Sequence, residues 1–416
     1  MKRILGCLLI LFWMPGIGSA ASTSFNGSFT ALSSAYWTSQ AAPADSQLSS
    51  RGELSFSWES HRIATVISGQ GRLAGESEGD SEIRLKEGYL DLSSEFLSLR
   101  MGQQILNWGA GHFYSPNDGV NPRDYLYPIE PSKWGVPLLK VSGILQEMTL
   151  DFIWIPFPLQ SRFPIDTNDA GIIPYRWAPQ AARASDTRIE RSASEKWKFQ
   201  QMEMGSRLSA EKEVIRASLY YFAGFDPFPD LRLTSPDESV GKGVRVPTFH
   251  RIQRFGADFT FTIGGAEIWT EGAYILTEDM EEHEPNIPGP HAQVVIGTKL
   301  AAADLLFQED DASLLMEYSK KAGEDLGRGP IQFDHFYEDT GISELIYSIG
   351  KRWALSLRGA LALQYFDGFI QPEVSYHLGE ALEVAMGAQN IFGNSQGPFG
   401  EFTQNSRAYA TLTYAF

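Results

Sequence analysis

Stretches of about ten residues in which apolar and polar side chains alternate recur along most of the chain. That period of two constrains the fold more than any other feature, because it is the period of a strand with one apolar and one polar face. In "SRAYATLTYAF", residues 406–416, the side chains of Ala408, Ala410, Leu412, Tyr414 and Phe416 share one face, and Arg407, Tyr409, Thr411 and Thr413 share the other. Turn signals separate candidate strands at 23–36, 50–59, 62–73, 82–92, 95–106, 136–143, 147–156, 202–210, 213–224, 252–263, 266–277, 291–307, 312–320, 341–349, 352–365, 369–377, 381–389 and 405–416.

The connections sort by length. Tight turns at Ser60-His61, Ser93-Ser94, Glu211-Lys212, Gly264-Gly265 and Gly350-Lys351 fall on one side, and 107–135, 157–201, 225–251, 278–290, 321–340 and 390–404 fall on the other. Residues 366–368 break the pattern as a short turn on the long side, which leaves the count at 18 or 16 strands. A soluble β-sandwich has no reason to sort its loops in this way. A closed barrel across a membrane has one, with short periplasmic turns and long extracellular loops. The expected fold is all-β, a single transmembrane antiparallel β-barrel over residues 21–416. Glycine (39) and aromatic residues (12%) are abundant in agreement.

Residues 1–20 read as a secretory signal peptide: Lys2 and Arg3, an apolar stretch from Ile4 to Met14, then Gly18-Ser19-Ala20-Ala21. Ile4-Leu5-Gly6-Cys7 is like a lipobox, but it precedes the apolar core that it should follow. Cys7 is the only cysteine, so the exported chain has neither disulfides nor thiolate metal sites. A formal charge of −17 without a basic patch excludes nucleic acid as a partner. No later segment has the roughly 18 consecutive apolar residues of a membrane helix. His61, His250, His283, His291, His335 and His377 lack metal-ligand spacing, and "EDMEEHEP" (278–285) reads as a solvated acidic loop; no metal or cofactor is expected.

Register assigns the inner face. With Ser93-Ser94 as a two-residue turn, Glu87 faces Arg100, Tyr89 faces Ser98, and Leu90 faces Leu97 on the lipid side. Gln103 then falls awkwardly toward lipid. With Gly264-Gly265 as the turn, Asp258 faces Glu271 near Thr260 and Trp269, while Phe259, Phe261 and Ile268 face lipid. The paired acids need a proton, a counter-ion or a neighbour such as Arg254. Glu87, Tyr89, Arg100, Gln104, Asp258, Glu271, Glu317 and Arg358 are the expected pore-lining residues, acids in excess and cations favoured. The alternative for each charged side chain is an ion pair tying neighbouring strands.

"KEGYLDLSSEFLSLRMGQQILNWGAG" followed by "NPRDYLYP" resembles a family of porin-like Gram-negative outer-membrane barrels of unassigned function. Glu87, Tyr89, Gly102, Gln104, Trp108, Gly109, Asn121, Pro122 and Asp124 carry the likeness over residues 82–128, and "WTEGAY" (269–274) and "LLMEYS" (314–319) echo it. The resemblance implies a channel or accessory barrel in movement of compounds across the outer membrane, in some members beside an inner-membrane exporter; it supplies no substrate. The terminal Phe416 resembles the signal read by the barrel-assembly machinery, which gives outer-membrane lipid, lipopolysaccharide and that machinery as expected partners, with export by the Sec pathway.

The stretch after Arg100 is expected to rise to the rim, with Trp108 in the interfacial girdle and Gly109 and Gly111 turning the chain inward. Residues 107–135 then form a constriction loop, with Trp108, Asp118, Asn121, Arg123 and Asp124 narrowing the lumen; the alternative is an external loop packed for rigidity. After Pro179 the loop 157–201 is expected to hold one or two helical turns. The function expected is passive passage of ions or small solutes, not catalysis. Two alternatives stand beside it: a non-conducting accessory or scaffold barrel for an exporter or periplasmic partner, and a hydrolase built on His112, Ser115 and Asn117. No amino-terminal plug or hatch is expected, since the candidate strands start almost at the expected cleavage site. Substrate and homo-oligomerisation are not legible.

Overall fold

Alternating side chains leave every strand with a backbone that needs partners on both edges, and the chain meets that need by closing on itself. The computed structural model describes residues 22–36, 46–73, 81–165, 175–179, 187–189, 201–237, 242–281, 287–323 and 335–416. Eighteen antiparallel strands form one sheet. They are β1 (Ser22–Tyr36), β2 (Ser46–Ser60), β3 (Ile63–Leu73), β4 (Glu82–Ser93), β5 (Leu97–Gln104), β6 (Val136–Leu145), β7 (Met148–Ile155), β8 (Glu203–Lys212), β9 (Ile215–Phe225), β10 (Arg251–Ile263), β11 (Ala266–Thr277), β12 (His291–Ala303), β13 (Asp310–Gly323), β14 (Asp339–Ile349), β15 (Trp353–Ala362), β16 (Asp367–His377), β17 (Leu382–Phe392) and β18 (Arg407–Ala415). β1 pairs with β2 on one edge and with β18 on the other, so the barrel is closed with 18 strands and not 16. 3-10 turns lie at His335–Tyr337 and Gly400–Asn405.

Connections at the end where β1 begins and β18 ends are 61–62, 94–96, 146–147, 213–214, 264–265, 304–309, 350–352 and 378–381. At the other end lie 37–45, 74–81, 105–135, 156–202, 226–250, 278–290, 324–338, 363–366 and 393–406. The connection 226–250 is not irregular throughout: Asp230–Asp237 and Lys242–Thr248 pair with each other, and Thr187–Ile189 joins them in a second small sheet. Of the segment expected to turn helically after Pro179, Thr187–Ile189 is a strand and 180–186 and 190–200 lie outside the described residues, as do residues 1–20, expected to be a signal peptide.

Side-chain chemistry alone does not sort the two faces. On β12, Val295 is fully buried while its neighbours Val294 and Ile296 are 49% and 54% exposed. Leu150, Leu219, Phe259, Met386 and Leu412 are likewise exposed, which gives the barrel an apolar outer belt. The inner face carries the charges, with Glu267 opposite Lys299 and Glu344 opposite Arg358.

The β10–β11 register places Asp258 opposite Glu271 and Phe261 opposite Ile268, as the Gly264-Gly265 turn requires. The β4–β5 register corrects the sequence expectation. Arg100 stands opposite Asp91, not Glu87, and Tyr89 stands opposite Gly102. Residues 94–96 make a wider turn: Ser94 N–H donates to Leu97 O (2.8 Å) and Leu97 N–H donates to Ser94 Oγ (3.1 Å). The slip is even, so the faces survive it. A bulge where β3 meets β4 skips Lys86. Arg84 and Lys86 before it and Glu87 and Tyr89 after it thereby share the inner face, and Ile83 and Leu85 are left outside.

Candidate functional site

The loop 105–135 enters the barrel as soon as β5 ends. Asn121, 1% exposed, closes the entry: its Oδ1 accepts from Leu106 N–H (2.7 Å), and its Nδ2 donates to Gln104 O (3.0 Å) and Trp134 O (2.8 Å). Beneath it Gln104 is fully buried and donates to Leu138 O (3.1 Å). Trp108 does not stand in an interfacial girdle. It is buried against Leu106, Val120, Val136, Ile153 and Tyr220, because the chain has already turned inward before reaching it.

Two wall carboxylates then hold successive loop amides. Glu271 Oε2 accepts from Ala110 N–H (2.8 Å) and Gly111 N–H (2.9 Å), and its Oε1 accepts from Asn117 N–H (2.8 Å) and Ser115 Oγ (2.6 Å). Glu317, on β13, accepts from His112 N–H (2.8 Å) through Oε2 and from Tyr114 N–H (2.8 Å) through Oε1. Burying a carboxylate costs several kcal/mol, and each charge-assisted hydrogen bond returns about 1.5–3 kcal/mol, so the set on Glu271 works against the cost of its burial. Gly109 is required at the first contact. Its φ is +87°, and a Cβ there would lie 2.0 Å from Ser115 Oγ and 2.5 Å from Glu271 Oε1. The counter-charge expected from Arg254 is thus supplied by loop dipoles, while Asp258 accepts from the Tyr220 hydroxyl.

Asp118 pairs with Arg123 (2.8 Å) and with Lys133, whose ammonium burial pushes down against the pull of Asp118. Asp124 caps Leu126 N–H (3.0 Å) and faces Arg162 (3.1 Å). Farther along, Tyr127 donates to Gln389 (3.0 Å), Gln389 to Gln371 (2.8 Å), Gln371 to the Tyr409 hydroxyl (2.8 Å), and Tyr409 to Glu373 (2.8 Å), a polar chain across β16 to β18. Burial pushes the Tyr127 phenol up, so this chain keeps its proton. Glu130 pairs with Arg358, whose guanidinium lies 5.2 Å from the Phe113 ring. A cavity of about 220 Å³ opens there, between His112, Phe113, Arg123, Glu130, Tyr337 and Arg358.

The structure therefore brings Glu271, Glu317, Arg358, Asp118, Asn121, Arg123 and Asp124 together around one loop. Tyr89 and Arg100 belong to a separate group: Arg100 donates to Asp91 (2.8 and 2.6 Å) and stacks 4.5 Å from the Tyr89 ring. Glu87 accepts from Ile105 N–H (3.0 Å) at the loop's root. Sequence reading missed Asp91, whose parity in "GYLDLS" already placed it inside. It also missed Asp367, which accepts from Phe399 N–H (2.7 Å) and Gly400 N–H (2.6 Å); no local signal links partners so distant in sequence. His112 and Ser115 form no nucleophile–base pair: the His112 ring lies 4.5 Å from Trp269, and Ser115 Oγ is engaged by Glu271 and the Trp108 carbonyl (3.1 Å).

No family model and no curated protein matches the chain. Solved structures are similar at low identity. Acinetobacter baumannii OccAB1 is 9% identical, with 97% of this chain and 98% of that one covered at a TM-score of 0.53. A triple mutant of Rhodopseudomonas blastica porin is 10% identical, covering 95% and 100%, at 0.46. A loop L8 deletion mutant of OmpT, an outer membrane protein of Vibrio cholerae, is 10% identical, covering 96% and 100%, at 0.44. The likeness to OccAB1 speaks for the barrel fold alone.

Proposed function

We propose that the chain is an outer-membrane, porin-like channel for passive passage of ions or small solutes, its lumen narrowed by the loop 105–135. The observation that carries this reading is the clamping of residues 110–117 by Glu271 and Glu317, wall residues on β11 and β13. A loop held by inward-facing side chains across the barrel restricts the bore without closing the sheet. The apolar outer belt suits lipid and the lipid part of lipopolysaccharide, and the short turns fit the periplasmic end. Membership in the porin-like family that residues 82–128 resemble, Sec export of a cleaved precursor and recognition of Phe416 during assembly belong to the same reading.

A second reading has its own observation. Ile129, Trp177, Phe336, Phe369, Phe399 and Phe402 form one buried cluster that joins four connections at the same end of the barrel. A lumen packed that way suits a non-conducting accessory barrel that waits for an exporter or a periplasmic partner.

Planar-bilayer recording of the purified, refolded protein separates the two. Wild type is expected to give steady steps with a measurable reversal potential in a salt gradient. The Glu271→Gln, Glu317→Gln double variant, which weakens the clamps, is expected to give larger and noisier steps. Correctly folded protein that is silent in both forms would rule out the channel and leave the accessory barrel.

A further inference from the structure

Arg254, on the inner face of β10, is 5% exposed and stands opposite Phe222 and Ile275, both buried and apolar. Its Nε and Nη1 have no hydrogen-bond partner, and its guanidinium has no ion pair among the described residues; its contact is with the Phe222 ring at 5.8 Å. The carboxylates nearby have other partners, although Asp118 Oδ1 and Asp258 Oδ1 accept no hydrogen bond. Asp118 holds Arg123 and Lys133, Asp226 accepts from Phe228 N–H (2.9 Å) and faces His250 (3.5 Å), and Glu203 accepts from Phe225 N–H (2.9 Å). A buried cation without a partner is costly, and a protein tolerates one where a ligand brings the missing charge.

The surroundings are shaped for that ligand. Gly119 of the loop lets the backbone approach, since a Cβ there would lie 2.1 Å from Arg254 Nη1. Arg254 and Lys321 border, with Asp118, Asp226, Gln293 and Gly119, a cavity of about 40 Å³, room for a carboxylate group and little more; Asp118 is paired with Arg123 and Lys133, and Asp226 faces His250. That cavity shares Phe113, Arg123, Pro131 and Tyr337 with the cavity of about 220 Å³ beside Arg358, which has room for a ring or a short chain. Tyr337, of the shared wall, stacks at 4.1 Å on Tyr114 of the smaller cavity.

We propose that this pair of cavities binds a small organic monocarboxylate, its carboxylate on Arg254 and its apolar body among Phe113, Tyr337 and Ile129. A guanidinium and a carboxylate match in planar, two-bond geometry, which makes arginine the residue suited to the task. The site is a property of the folded loop and does not depend on whether the barrel conducts.

The test is ligand-observed fluorine NMR of 4-fluorobenzoate with the purified protein in detergent. Wild type is expected to broaden the fluorine line, unlabelled benzoate to restore it, and neutral benzyl alcohol to leave it broad. Arg254→Met, with folding checked by heat-modifiable gel mobility, is expected to weaken binding at least tenfold. Absence of broadening with wild type, equal binding by the variant, or competition by benzyl alcohol as effective as by benzoate would each overturn the proposal. The neutral competitor decides the matter on wild type alone if the variant does not fold.

Discussion

At the scale of single residues, buried carboxylates in this barrel are satisfied by backbone amides more than by cations. Glu271 and Glu317 hold the loop 105–135, Asp367 holds the start of the turn Gly400–Asn405, and Asp310 accepts from Leu305, Leu306 and Phe307 N–H (2.6, 2.9 and 2.8 Å) at a short connection. An amide held by a charge needs no particular side chain, so these anchors leave little trace in local sequence. His112 sits among them with its ring on Trp269, and burial pushes its pKa below the ordinary value of 6.5; Glu267 raises it, and Lys299 and Arg216 lower it further. The folded state thus disfavours the charged ring. Its contribution to docking is complete above the ordinary value and is lost as pH falls through the lowered one. Protection of the amides of residues 110–117, taken relative to the intrinsic exchange rate at each pH, is expected to be lower at about pH 5 than at about pH 8. Because Glu271 and Glu317 face the same loop, the His112→Phe variant isolates the ring: it should flatten part of that difference, and an unchanged profile would assign the effect to the carboxylates.

At the scale of strands, the hairpin β4–β5 shows what alternation can and cannot fix. Faces follow from parity, so Tyr89 and Arg100 lie inside, as the sequence alone requires. Register follows from the turn, and the turn 94–96 is closed by contacts of Ser94 that a dipeptide reading overlooks. A double-mutant cycle on Asp91→Asn and Arg100→Gln, read by urea unfolding, is expected to give a coupling of about 0.5–1 kcal/mol for this partly buried pair. The same cycle on Glu87→Gln and Arg100→Gln is expected to give none, and the reverse result would restore the narrower turn. The bulge at Lys86 was illegible for a related reason: an extra residue changes no composition, only the pairing against β3.

At the scale of the whole molecule, closure depends on the two ends of the chain. Beyond the ladder of β1 with β18, Gly27 and Phe416 exchange backbone hydrogen bonds (3.0 Å each way), and the Phe416 ring lies 6.0 Å from Phe25 and 5.9 Å from Tyr414. A Cβ on Gly27 would fall 2.4 Å from that ring. Gly27→Val is therefore expected to lower the yield of heat-modifiable, folded barrel on refolding, and Phe416→Ala to lower it as well. A yield equal to wild type in both would show that β1 and β18 close without the terminal contact.

The sequence by itself determined the strands and their faces, because a period of two and the turn residues between runs are local properties of the chain. It marked the loop after β5 by its glycines and aromatics. Only the tertiary structure decided the count of 18, the side on which Trp108 lies and the partners of Glu271, Glu317 and Asp367. Those depend on which strands the closed sheet brings across from one another, and closure is a property of all eighteen strands together.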